Sequence, residues 1–394
     1  MKKQYLFLLV FLCAMSLFAQ VAWQARSDFG GTERNHAIGF SYGTDGYVMT
    51  GVHNGVLYKD FWQYNSLTDV WIQLPDFPGP ARSYGVGYII KDKAYVGLGH
   101  SSSGFITDFW EYNFSNTTWT QKGNFPGQGR DHPCCDVIDS LLYVGFGSTA
   151  SASINDWWQY NPATDKWTAK TNYPGLPMHH PVTGHYNNRI YLTEGHLKYG
   201  STNQGSVKSY SYDSKTDKWT SLKNMPGLGV VAGAAFVLGD KLYSGVGIEE
   251  PVSVFHTDFY EYDIALNNWS VIGDYPGDGT FAPVTFIIGN DGYVVTGASN
   301  YADTKNCYRL HTSNTTAIAE KNSATQLALY PNPAVNKVVI ESDQNGLVQI
   351  YNSNGSLATA YTKDKNIFQI DISNFSTGLY FLKLGNCVKK LIKE

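Results

Sequence analysis

A tryptophan stands at Trp23, Trp71, Trp119, Trp167, Trp219 and Trp269, at intervals of 48, 48, 48, 52 and 50 residues, and a tyrosine follows every one after 24 residues. A fixed period of about 40–50 residues marks a chain built from one repeated supersecondary unit. A second tyrosine (Tyr64, Tyr112, Tyr160, Tyr212, Tyr262) precedes the next tryptophan by 7 residues in each case. Only the stretch between the two tyrosines changes length, measuring 17, 17, 17, 21, 19 and 15 residues when Tyr308 is taken as the sixth second tyrosine. Length freedom confined to one segment places a loop there and rigid structure elsewhere.

Each unit opens on a Pro/Gly turn such as FPGPAR, FPGQGR or YPGDGT and continues into a first strand. A second strand then reads YVMTG, YVGLG, YVGFG, YLTEG, YSGVG or YVVTG. A third carries DFWQY, DFWEY, DWWQY or DFYEY, and a fourth begins at the next tryptophan. Aromatic and β-branched residues alternating with glycine are strand chemistry. Four strands per unit and six units predict an all-β, six-bladed β-propeller. Thr315 stands where a tryptophan should follow Tyr308, and Trp23 has no third strand before it. The two gaps complement each other, so the strand around Trp23 is expected to complete the last blade and cover two open edges.

Composition agrees. Aromatics reach 15% of the 394 residues, with 39 Gly and 28 Tyr, whereas charged residues make up 16%. A net charge of -4 without a basic run excludes the positive footprint that a nucleic-acid partner requires. Lys2 and Lys3, an apolar run from Tyr5 to Phe18 and the small Ala19 before Gln20 read as a secretory signal peptide over residues 1–20. Cys134, Cys135, Cys307 and Cys387 give no disulfide framework. Neighbouring Cys134 and Cys135 fall on opposite strand faces and read as buried thiols.

The period near 50, the strand ending in a glycine turn, and the Tyr and Trp seven apart resemble kelch repeats over residues 21–316. The resemblance implies a propeller and leaves function open, because such propellers serve both as binding modules and as enzymes. Beyond a linker at 317–325 the pattern changes. The segment 326–394 carries LALYPNPAVNKVVIES, IYNSNG, STGLYFLKL and a basic end, KKLIKE. Period-two strands between Asn, Gly and Pro turns predict a small C-terminal β-sandwich. The four elements together resemble the C-terminal sorting domain of type IX secretion, which implies the type IX machinery as a partner and a secreted or outer-surface destination.

Candidate chemistry lies where the units disagree. Arg34, Arg82 and Arg130 occupy one station in units one to three, against Met178, Val230 and Thr280 in the others. Convergent guanidiniums could bind a carboxylate, or they could pair with Asp60, Asp108 and Asp156. Two residues further on stand His36, Tyr84, His132 and His180, against Ala232 and Ala282. His53, His100 and His196 follow the second strand, where a loop should open onto the channel, and Glu194 beside His196 is the best acid–base candidate. In kelch binding modules the matching loop and strand-start positions contact ligands. No local spacing assembles a metal site, and no cofactor is implied. No nucleophile elbow or phosphate loop is present, so no catalytic residues are assigned. The reading is a monomeric, non-catalytic propeller that binds a glycan or surface polymer. The alternatives are a kelch-type sugar epimerase or mutarotase acting on an anionic sugar, and a protein-binding adhesin.

Overall fold

The computed structural model describes residues 21–199, 201–300, 302–312, 327–342, 345–352, 357–384 and 387–394. The signal peptide and the linker fall outside them. The described residues form two compact units, 21–312 and 327–394.

The first unit is a ring of six four-stranded antiparallel sheets. Blade one runs from the axis outward through Ile38–Tyr42, Asp45–Met49, Phe61–Asn65 and Val70–Leu74, and blades two to five repeat this order. The innermost strands Ile38–Tyr42, Val86–Ile90, Cys134–Ile138, Val182–Tyr186, Ala234–Leu238 and Val284–Ile288 each lie against their two neighbours, so the ring closes on itself.

The aromatic ladder explains why the blades stay in register. Tyr64 lies directly opposite Trp71 across the outer hairpin, with ring centroids 4.9 Å apart. The Tyr64 hydroxyl donates to Asp69 at 2.6 Å, and the Trp71 indole N–H donates to the Ser27 carbonyl at 3.0 Å, 44 residues back. Trp167, Trp219 and Trp269 make the same bond to Gly123, Thr171 and Lys223 of the preceding blade at 3.1, 2.9 and 3.0 Å. Each of these four tryptophans therefore joins its own blade to the one before it.

Blade six consists of Val284–Ile288, Asp291–Val295 and Cys307–Thr312, completed by the N-terminal strand Val21–Ala25. Trp23 pairs with Leu310 in that sheet. This corrects the sixth station of the ladder. Leu310 sits opposite Gly292 as Tyr64 sits opposite Gly46, whereas Tyr308 sits opposite Val294 as Trp62 sits opposite Val48. The sixth inter-tyrosine segment thus has the common length, and leucine replaces the second tyrosine. The variable loop is itself ordered in most blades as a short hairpin, for example Val52–His53 with Val56–Leu57 and His196–Tyr199 with Thr202–Gly205.

The second unit has one sheet of Ala328–Tyr330, Lys337–Glu341 and Ile367–Asp371 and another of Leu357–Lys363, Gly346–Asn352, Gly378–Leu384 and Cys387–Lys393. Val338, Ile340, Val348, Ile350, Ile370, Leu382 and Leu391 are buried in one core, as alternating strands in a sandwich require.

Candidate functional site

The site grows out of six equivalent residues that immediately precede the innermost strands. His36, Tyr84, His132, His180, Ala232 and Ala282 all adopt left-handed backbone conformations, with φ of 48, 63, 51, 56, 52 and 51°. None is glycine, so each conformation costs about 1–3 kcal/mol and must be held by its surroundings. A nearly closed circle of five backbone hydrogen bonds holds them. The N–H of Tyr84 donates to the His36 carbonyl, that of His132 to Tyr84, that of His180 to His132 and that of His36 to Ala282, each at 3.1 Å, and Ala282 donates to Ala232 at 2.7 Å. The residue before each ring position is also pinned by antiparallel pairing to the third residue beyond the second strand, as in Asn35 with Val52, Asp131 with Ser148 and His179 with His196.

This circle turns four ring side chains toward the axis. His36 lies 4.4 Å from Tyr84, 4.9 Å from His132 and 5.2 Å from His180 between ring centroids, and His132 and His180 are 3.6 Å apart. His179 and His196 extend the group, with centroids 4.5 Å apart, and Phe281 closes the far side 5.3 Å from His36. The strand-two-to-three hairpins rise around it on the same end and carry His53, His100 and His196. From the ring onward the innermost strands enclose an axial cavity of about 400 Å³, reaching Tyr88, Cys135 and His185.

Burial disfavours the imidazolium form here. It lowers His132 to about 3, helped by His196 and His100, and lowers His179 to about 3, helped by His132 and His196. Burial and the neighbouring imidazoles also carry His36 and His180 well below the usual value. The group is therefore neutral at physiological pH. A hydrogen-bond chain sets one tautomer: His53 donates to Asp303 at 2.7 Å, the Asn35 amide donates to Asp303 at 2.5 Å, and the Asn35 carbonyl accepts from His36 Nδ1 at 2.5 Å. His36 Nε2 is left facing His180 Nε2 at 3.0 Å.

The structure thus brings His36, Tyr84, His132, His180 and His196 together and puts His53 and His100 on the rim, His100 packing 5.2 Å from Phe105. It does not bring the arginines there. Arg34, Arg82 and Arg130 are fully buried, and each grips an aspartate of its own blade bidentately. Arg34 bonds both oxygens of Asp60 at 2.5 and 2.8 Å, and Arg82 both of Asp108 at 2.6 Å. Arg130 holds Asp156 in the same way. The remaining N–H groups go to backbone carbonyls, and each guanidinium lies 4.6–4.9 Å from a phenylalanine ring centroid, with Arg34 also 4.3 Å from Tyr58. Trp62, Trp110 and Trp158 complete the shell by donating to the same aspartates at 2.7, 2.8 and 2.8 Å. The arginines are blade struts. Asp108→Ala should cost about 3–5 kcal/mol in a denaturant titration, because it leaves Arg82 buried without a counter-charge. The double variant Arg82→Met/Asp108→Ala, which copies the methionine found in blade four, should recover much of that loss. Non-recovery would show that the pair acts through something other than charge burial.

Glu194 is likewise not an acid–base partner of His196. Its side chain is fully buried and accepts from the Ser244 hydroxyl of blade five at 2.5 Å, and burial holds its carboxyl well above the usual carboxylate range. Sequence reasoning also missed several residues. Asn35, Asp131 and His179 precede ring positions, and Asn35 orients His36 through a hydrogen bond, which their place one residue upstream could have signalled. Deeper in the cavity Asp136 accepts from His185 at 2.7 Å, and the Tyr88 hydroxyl lies 3.2 Å from the same nitrogen. Burial pulls His185 down, yet the Asp136 charge outweighs it and leaves the imidazole above its usual value.

No match is found among curated proteins. Among solved structures the chain is similar to YjhT, at 16% identity and a TM-score of 0.61 over 73% of this chain and 97% of that one, a likeness of fold. Residues 328–394 match the secretion system C-terminal sorting domain family, so the chain carries a type IX sorting tail that directs it to the outside or surface of the cell.

Proposed function

We propose that the propeller binds a glycan or surface polymer at the mouth above blades one to four. One observation carries this reading. Of six equivalent axial positions, the four in blades one to four hold rings with polar edges, and the other two hold Ala232 and Ala282. Planar rings suit the apolar faces of sugars, and imidazole and phenol edges suit their hydroxyls. The strained backbone at these positions fits a site held ready for a ligand. The epimerase alternative loses its main support with the arginines, since they are committed to Asp60, Asp108 and Asp156. In this reading residues 21–316 form a kelch-type binding module, residues 326–394 serve its export, and a signal peptide at 1–20 starts that route.

The test is a glycan and microbial-polysaccharide array probed with the full chain. Binding to a restricted set of sugars is expected, and Tyr84→Asn should weaken it about tenfold, the equivalent of about 1.4 kcal/mol for one lost ring contact. Asparagine tolerates the left-handed backbone at this position, so the fold should survive. An array silent for the intact protein would overturn the reading.

A further inference from the structure

We propose that His36, His132 and His180 form a binding site for one divalent transition-metal ion of the zinc class at the base of the mouth. One ligand atom from each of the three lies within 4.8 Å of the other two. Tetrahedral coordination at about 2.0–2.1 Å sets nitrogens about 3.3 Å apart, so only small side-chain adjustments are required. His36 Nε2 and His180 Nε2 are already 3.0 Å apart.

The surroundings are those of a ligand set. A metal-binding histidine characteristically donates its other N–H to a carbonyl or carboxylate, which fixes the ring and frees the second nitrogen. Asn35 does this for His36, and its own orientation is fixed because its amide N–H₂ must donate to Asp303. Asp131 Oδ1 lies 3.0 Å from His132 Nδ1, within ion-pair distance but outside hydrogen-bonding geometry. His132 Nδ1 and His180 Nδ1 are both buried with no hydrogen-bond partner among the described residues, an unusual state for polar atoms. The backbone circle fixes all three Cα positions without a metal, so the site is preorganised. A competing set, His179, His180 and His196, shares one member. Its other two each have one ring nitrogen held, His179 Nδ1 at 2.9 Å from Ser153 and His196 Nε2 at 2.6 Å from Asn203, so the variants below are what separates the two sets. Three imidazoles and no thiolate suit zinc, copper or nickel over calcium or magnesium. Three protein ligands also leave a coordination position for an outside molecule, as in open zinc sites.

The proposal does not depend on glycan binding and is tested with metal alone. Chelator-stripped full chain is titrated with zinc chloride by calorimetry, and cobalt(II) is added separately as a spectroscopic probe. One ion per chain is expected, with visible cobalt bands of a four-coordinate site. His36→Asn and His132→Asn should each weaken zinc binding about a hundredfold or more, and His256→Asn, in blade five and paired with Glu249 and Asp258, should leave it unchanged. Thermal melts establish that each variant is folded. Absence of binding by the intact chain would overturn the proposal. So would binding that persists in the folded His36→Asn/His132→Asn double variant, or that depends on His196 and not on His36.

Discussion

A chain lacking residues 21–28 should melt about 10 °C or more below the intact protein and should aggregate on heating. The segment contributes far more than a short terminal strand ordinarily would. Val21–Ala25 supplies the outer strand of blade six, and Trp23 packs edge-on against Phe259 and Tyr275 at 5.1 and 5.2 Å. The next residues tie that blade to blade one. Arg26 donates to Tyr64 at 3.0 Å, the Ser27 N–H donates to Asp69 at 3.0 Å, and the Ser27 carbonyl receives the Trp71 indole bond. Losing an aromatic side chain of this size from its packing costs about 3–5 kcal/mol before any hydrogen bond is counted, and a domain of this length loses a few degrees per kcal/mol. The deletion would also leave Cys307–Thr312 as an edge strand with one side open, next to an unfastened blade one, a template for association. Trp23→Ala isolates the packing share and should give a smaller drop without aggregation. Scanning calorimetry with light scattering checks both. A deletion variant as stable as the parent would mean that the ring closes by other contacts.

How much of this molecule could be read from its sequence depended on how far apart the interacting residues lie along the chain. The ladder is legible because Tyr64 and Trp71 face each other across one hairpin, so a 7-residue spacing survives unchanged through five units. The Arg–Asp struts were equally open to reading, since Arg34, Arg82 and Arg130 each reach an aspartate 26 residues on. What the pattern could not decide is which way a guanidinium points. The sixth station misleads because tyrosine identity favours Tyr308, while strand register is set by pairing and places Leu310 there. The histidine cluster lies beyond local pattern altogether. His36, His132 and His180 are separated by whole blades and meet only because the backbone circle brings equivalent positions to one axis. Unit-to-unit comparison could find the station, but only the closed ring could show that its side chains touch.

Glu194→Gln should stabilise the protein at neutral and alkaline pH, an unusual result for a substitution of a fully buried charged residue. The equivalent residues in the other blades are Thr50, Leu98, Phe146, Val246 and Thr296, and all share its left-handed backbone and its burial. This is a small-to-apolar station between blades, and only blade four puts a carboxyl there. Gly233 makes room for it, because a Cβ at that position would stand 2.2 Å from Glu194 Oε2. Ser244 satisfies one oxygen, and Oε2 has no partner among the described residues. Burial therefore keeps the folded carboxyl protonated well above the pH at which the unfolded chain, near 4.5, releases its proton. The sign follows: stability is fully present below about 4.5 and is lost as pH rises, at about 1.4 kcal/mol per pH unit, until the folded group itself ionises. Glutamine keeps the shape and the Ser244 hydrogen bond but cannot ionise, so it removes this loss. Denaturant midpoints for the two proteins should coincide near pH 4 and separate progressively up to neutral pH, with the variant higher. A difference that does not change with pH would show that the carboxyl is not held neutral, and a variant that is weaker throughout would show that the carboxyl, rather than its shape, is what blade four needs.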